Sequence, residues 1–177
     1  MSKKVLVVLA HDDMKISRVN KRLVQELESC DNIEVRDIKA LYPDYKIDIE
    51  AEQEAIKKAD KVVFQFPMFW FNAPSILKEW MDKVYSLGFA FDVTQDGYQR
   101  RELDGREFML AVSMGGHEAA YDGDYKSVDE CLTPYIYTAK FCGMKVVEPF
   151  YTYRAMQNLS DEKLEALAPQ FKEAILK

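Results

Sequence analysis

Five apolar runs of strand length, each followed by a segment of helical period, constrain this chain more than any other feature of its sequence. Lys4 to Ala10 carries β-branched and aliphatic residues without polar alternation, as expected of a strand covered on both faces. Ile33 to Ile38, Lys61 to Phe66, Phe108 to Ser113 and Met144 to Phe150 supply the other strands, with a loop over 41–48 after the second. Helical spacing begins at Ser17, with Val19, Leu23, Val24 and Leu27 on one face. It returns in Glu50 to Lys58, in the stretch carrying Ile76, Leu77, Trp80, Met81 and Val84, in Val128 to Cys142 and in Asp161 to Ile175. Such alternation implies right-handed βαβ units and an open five-stranded parallel sheet of order 2-1-3-4-5, an α/β fold with helices on both faces. No Gly/Ser/Pro-rich linker or internal repeat interrupts it, so residues 1–177 are expected to form one domain.

Composition narrows the function. The net charge of −6 comes without any run of five like charges, which argues against binding nucleic acid through its phosphates. Cys30, Cys131 and Cys142 form no C-x-x-C pair, and an odd count argues against a disulfide framework; a reducing cytoplasm is the expected setting, and no metal site is expected. The apolar run after the N-terminal lysines is too short for a signal core or a membrane span.

Open parallel sheets bind ligands in the loops past the carboxyl ends of their strands, at the switch point. In the 2-1-3-4-5 order the loops after strands one, three and four converge. The first, 11-HDDMKISRVN-20, is neither a P-loop nor a G-x-G-x-x-G turn. It places Ser17 at a helix start, where backbone N–H groups and the dipole favour a phosphate, with Asn20, Arg18 and His11 as further donors; a plain N-cap serine is the alternative. The second loop crowds Pro67, Met68, Phe69, Trp70 and Phe71 directly after a strand, which suits a stacking platform for a flat ring system as well as it suits core packing. The third, 113-SMGGHEAAYDGDY-125, offers close backbone approach at Gly115 and Gly116, with His117 and Tyr121 as donors; a Gly-Gly pair alone is more often a turn.

With these residues in view, the chain resembles the flavodoxin-like NAD(P)H quinone oxidoreductases, including bacterial members that are ancillary subunits of glutathione-gated potassium efflux systems. The resemblance runs from Lys4 to about Tyr153. It is carried by 6-LVVLAHDD-13 with Ser17 and Asn20, by 65-QFPMFWFNAPSILKEWMDKVYSLGFAF-91, by 105-GREFMLAVSMGG-116 with Tyr121, and by 142-CGMKVVEPF-150. It implies a flavodoxin-like fold and a homodimer with two active sites at its interface, each holding a flavin, FMN being favoured and FAD the alternative. His11, Ser17, Arg18, Val19 and Asn20 would then face the phosphate and ribityl chain. Pro67, Met68, Phe69, Trp70 and Phe71 would line the ring, and Ser113, Met114, Gly115, Gly116 and Tyr121 its pyrimidine edge. Two departures stand out: Ser113-Met114 replaces the usual Thr-Thr, and Ser127 stands where larger animal-type members have a histidine, leaving His117 as the stand-in.

The activity implied is a two-electron ping-pong transfer from NADPH or NADH through the flavin to a quinone-like acceptor, with Tyr121 and His117 as catalytic residues. Two rivals remain: a regulatory flavoprotein subunit associated peripherally with a potassium efflux transporter, and a one-electron carrier of flavodoxin type.

Overall fold

A computed structural model describes residues 2–122, 126–156 and 159–177. Its central sheet is parallel. β1 (Val5–Leu9) lies between β2 (Ile33–Asp37) and β3 (Lys61–Pro67), and β6 (Glu107–Ser113) flanks β3 on the other side. Two short strands, β7 (Lys145–Val146) and β8 (Phe150–Thr152), both pair with the outer side of β6. Taken as one edge they complete the expected order and the flavodoxin-like fold.

β1 and β3 are buried along their whole length, which is why their sequences run apolar without alternation. Side chains nonetheless leave the sheet on alternate sides, and two cores result. Leu6, Val8, Phe64, Phe66, Phe108 and Leu110 face a layer containing α3 (Ile49–Lys57), α4 (Ser75–Val84) and α6 (Thr133–Phe141). Val5, Val7, Val63 and Met109 face α1 (Val19–Leu27) and α7 (Asp161–Leu176). Lys61, buried at the start of β3, donates from Nζ to the carbonyl of Ile175 in the last turn of α7 at 2.9 Å and lies 3.3 Å from Glu107.

Several expected elements change on contact with the tertiary structure. The strand expected over 144–150 is broken, because Pro149 has no N–H to give to β6 and the chain bulges between β7 and β8. The long helix expected over 128–142 is two helices, α5 (Val128–Cys131) and α6, divided at Leu132 with Pro134 in the opening turn of the second. Part of the expected loop 41–48 and the end of the second strand become α2 (Ile38–Leu41), which Asp37 caps by accepting from the Ala40 N–H at 3.1 Å. An antiparallel hairpin of β4 (Phe91–Thr94) and β5 (Gly97–Arg100) was not anticipated; Asp96-Gly97, with Gly97 at φ +114°, was its available signal.

Strand register brings the loops to a common edge. Leu9 is level with Gln65, Pro67 with Ser113, and Ser113 with Thr152, so the carboxyl ends of β1, β3, β6 and β8 open onto one side of the molecule.

Candidate functional site

Between β1 and α1 the chain turns tightly. His11 accepts at Nδ1 from the Asp13 N–H at 3.1 Å, and Asp13 accepts at Oδ1 from the Lys15 N–H at 2.8 Å. Burial lowers the His11 pKa against three nearby carboxylates, so the ring is held neutral with Nε2 as its donor. The helix then starts at Val19, not at Ser17. Arg18 occupies the capping position, and no side chain caps the first turn. Ser17 is therefore not an N-cap. It is 8% exposed and precedes backbone N–H groups that have no intrahelical acceptor.

Asn20 points inward. At 3% exposure it donates from Nδ2 to Ser113 Oγ at 2.9 Å, and Gln65 Nε2 lies 3.3 Å from both its carbonyl and its Oδ1. This buried network ties α1 to β3 and β6. Accepting from Asn20 leaves the Ser113 hydroxyl proton to be donated elsewhere. Arg18, by contrast, is engaged at the surface, where Nη2 lies 2.6 Å from Asp161 Oδ1.

After β3, Met68 N–H donates to the Ser113 carbonyl at 2.8 Å, and the chain reverses through Phe69-Trp70-Phe71-Asn72. Phe69 and Asn72 exchange both backbone hydrogen bonds, at 2.8 and 3.0 Å, and Trp70 and Phe71 have φ of +49° and +63°. Two left-handed central residues suit the tight hairpin turn that Asn-Gly ordinarily makes. Here both are aromatic, each at a cost of about 1–2 kcal/mol. The turn holds Trp70 at 93% exposure. Trp70→Gly is accordingly expected to leave stability unchanged or raise it by up to about 1 kcal/mol, since relief of strain outweighs glycine's extra chain entropy. Urea denaturation checks this, and a clear loss would mean that the ring packs.

The third loop is divided. Gly115 lines the cleft, where an added Cβ would stand 3.1 Å from Met156 Sδ. The Met114 side chain is fully buried in the core on the other side of the sheet, so only its backbone faces this edge. Tyr121 sits in a 3₁₀ turn, Glu118–Tyr121, with its ring 6.0 Å from that of Tyr153. Burial pushes its phenol pKa up, opposed by a hydrogen bond from the Gly116 N–H. Residues 123–125 of this loop lie outside the described residues.

These loops enclose a cleft of about 390 Å³ at the carboxyl edge. The first loop contributes His11, Ser17, Arg18, Val19 and Asn20, the second Pro67, Met68 and Phe69, and the third Ser113 and Gly115. Trp70, Phe71, Gly116, His117 and Tyr121 do not line it; Tyr121 borders a neighbouring hollow of about 300 Å³ with Asp129, Tyr151 and Tyr153. Ile16, Ala155 and Met156 line the cleft without having been anticipated. The last two follow β8, where Arg154 takes φ +62° and its N–H donates to the Gly116 carbonyl at 2.7 Å. Applying the strand-end rule to the fifth strand would have found them. Two polar atoms beneath the cleft, Gln65 Oε1 and Thr152 Oγ1, are buried with no hydrogen-bond partner among the described residues. No cluster of three or more His, Cys, Asp or Glu able to hold a metal occurs among those residues, and no helix there is long and apolar enough to cross a membrane.

The chain is 38% identical over 173 residues to the glutathione-regulated potassium-efflux system ancillary protein KefF of Enterobacter sp. strain 638, covering 97% of this chain and 95% of that protein. It is also similar to two solved structures, each at 35% identity. One is described as a thermophilic tryptophan halogenase from Streptomycin violaceusniger, with TM-score 0.89 over 97% of this chain and 98% of the other. The other is general stress protein 14 from Treponema denticola in complex with FMN, with TM-score 0.84 over 96% of both chains. Residues 3–175 match the profile described as Flavodoxin-like fold, and with the parallel sheet and its carboxyl-edge cleft this places the chain in that flavodoxin-like family.

Proposed function

We propose that this chain is an FMN-dependent NAD(P)H:quinone oxidoreductase, acting as a cytoplasmic homodimer. One observation carries the reading: a single cleft joins an uncapped helix start, flanked by the buried Ser17, to the loop that presents the aromatic turn. That pairing fits a ligand with an anionic end and a flat conjugated end. The FMN complex of the 35%-identical relative supports the choice of ligand.

In this reading the Ser17 hydroxyl and the leading N–H groups of α1 hold the phosphate, and neutral His11 donates from Nε2. Asn20 orients Ser113 so that its hydroxyl proton faces the polar edge of the ring. Gly115 lets the backbone approach closely. Phe69 forms part of the wall, and Trp70 and Phe71 offer stacking faces to the acceptor. Bound FMN would supply the redox chemistry, a two-electron exchange between NAD(P)H and a quinone-like acceptor in ping-pong order. Tyr121 and His117 are assigned to proton handling beside the cleft. The exposed apolar side chains of Ile16, Trp70 and Met156 suit cover by a second copy.

A second reading has one observation of its own. The name of the Enterobacter relative favours attachment to a membrane potassium-efflux protein, with the same site as its flavin domain.

The test is direct. Purified protein is expected to retain FMN, identified by its visible spectrum and by chromatography after release, and to oxidise NADPH or NADH when menadione is added. Absence of both sinks the proposal. Chlorinated tryptophan formed from tryptophan and chloride with dioxygen as oxidant and NAD(P)H-reduced flavin as co-reductant, detected by mass spectrometry, would direct the assignment to the halogenase-like relative instead.

A further inference from the structure

The aromatic turn is held against its own preferences. Trp70 and Phe71 occupy backbone conformations that their side chains disfavour, and at 93% exposure the Trp70 ring gains little from packing. Such a turn persists only where its surroundings over-determine it. Asn72 shows how. Its Oδ1 accepts from the Ala73 N–H at 2.8 Å and from the Tyr135 hydroxyl at 2.7 Å.

Tyr135 belongs to α6 and is 3% exposed. Its ring lies 5.9 Å from that of Phe66 and 6.5 Å from that of Phe64, on the strand that leads into the turn. Burial raises its phenol pKa, so the hydroxyl stays a donor across the working range. Strand, helix and turn are thus joined through one side-chain hydrogen bond, outside the cleft and touching none of its lining residues except through the turn.

We propose that the Tyr135 hydroxyl and the Asn72 amide form a latch that sets where the Trp70 and Phe71 rings stand, making both positioning residues for a flat, quinone-like acceptor. The purpose assigned to the rings rests on the proposed redox function; the latch itself does not.

Tyr135→Phe keeps the buried ring and removes only the donor. The chain has two tryptophans, so fluorine-labelled tryptophan gives two resonances, which Trp70→Phe assigns. In flavin-free protein, Tyr135→Phe is expected to shift or broaden the Trp70 resonance and leave that of Trp80 in place. Asn72→Gly should do the same, and the double variant should add nothing, as for two partners of one interaction. In the loaded enzyme, KM for menadione should rise about five- to tenfold, the worth of one hydrogen bond, with kcat within about twofold.

An unmoved Trp70 resonance in both variants overturns the latch. Equal movement of the Trp80 resonance overturns it too, as general loosening. A moved Trp70 resonance with unchanged KM overturns the positioning role. Should Tyr135→Phe fail to fold, Asn72→Gly carries the test alone, because Asn72 is solvent-exposed and its replacement leaves the core intact. If the parent protein oxidises no NAD(P)H while Trp70 still moves, the redox function fails and the latch stands.

Discussion

Ser17→Asp is expected to weaken FMN binding at least about 100-fold while leaving the flavin-free protein as stable as before, or slightly more so. The two effects have opposite signs because they draw on the same helix dipole. Without flavin, a carboxylate beside the uncapped start of α1 meets unpaired N–H groups and contributes about 0.3–1 kcal/mol. With flavin, that carboxylate sits where the phosphate must go. At 8% exposure the position is poorly screened, and two unit charges 4 Å apart at an effective dielectric of 20 repel by about 4 kcal/mol. Each 1.4 kcal/mol is about tenfold in affinity, so a hundredfold loss is a modest expectation. Titration calorimetry gives the affinity, and thermal denaturation of flavin-free protein gives the control. Unchanged affinity would show that the phosphate does not lie at α1.

The largest effect on stability is expected at Glu52, a fully buried carboxylate on α3. Its Oε1 accepts from Arg36 Nε at 2.8 Å, Arg36 Nη2 at 2.5 Å and the Tyr42 hydroxyl at 2.6 Å; its Oε2 accepts from the Trp80 indole at 2.9 Å. Glu52→Ala leaves a largely buried guanidinium without its main counter-charge and two donors without acceptors. Breaking such a pair from one side costs about 3–5 kcal/mol. For a chain of this length that is a fall in Tm of about 6–20 °C. The urea midpoint should drop with the m-value unchanged. A loss below about 1 kcal/mol would mean that Arg36 turns to water or to Glu34, which it already meets at 3.1 Å. Because Trp80 lies on α4, the cluster also anchors the helix that follows the aromatic turn.

Much of this arrangement is legible in the chain itself. Lys4 to Ala10 and Lys61 to Phe66 show central strands because residues covered on both faces run nearly continuously apolar, and their short length and β-branched and aromatic content favour strand over helix. The crevice follows from strand order. His11, Ser17, Asn20, Pro67, Phe69, Ser113 and Gly115 were recognisable as a group because the loops carrying them leave adjacent strands at the same end.

What could not be read depends on contacts between residues distant in sequence. Ser17 looks like a helix cap, and only the folded path of the loop shows Arg18 in that place. Asn20 looks like a phosphate ligand, and only the tertiary structure turns its amide toward Ser113, 93 residues away. Trp70 and Phe71 announce an aromatic loop, but nothing local in Trp-Phe calls for two left-handed residues; the backbone pairing of Phe69 with Asn72 and the reach of Tyr135 to Asn72 impose them. By itself, then, the sequence determined the layers, the strand order and the edge at which the candidate cleft opens, since periodicity and burial are local records of which face meets the core. The tertiary structure alone decided which donors stay open to a ligand and which are spent inside, because a hydrogen bond is satisfied by whatever group the fold brings within reach.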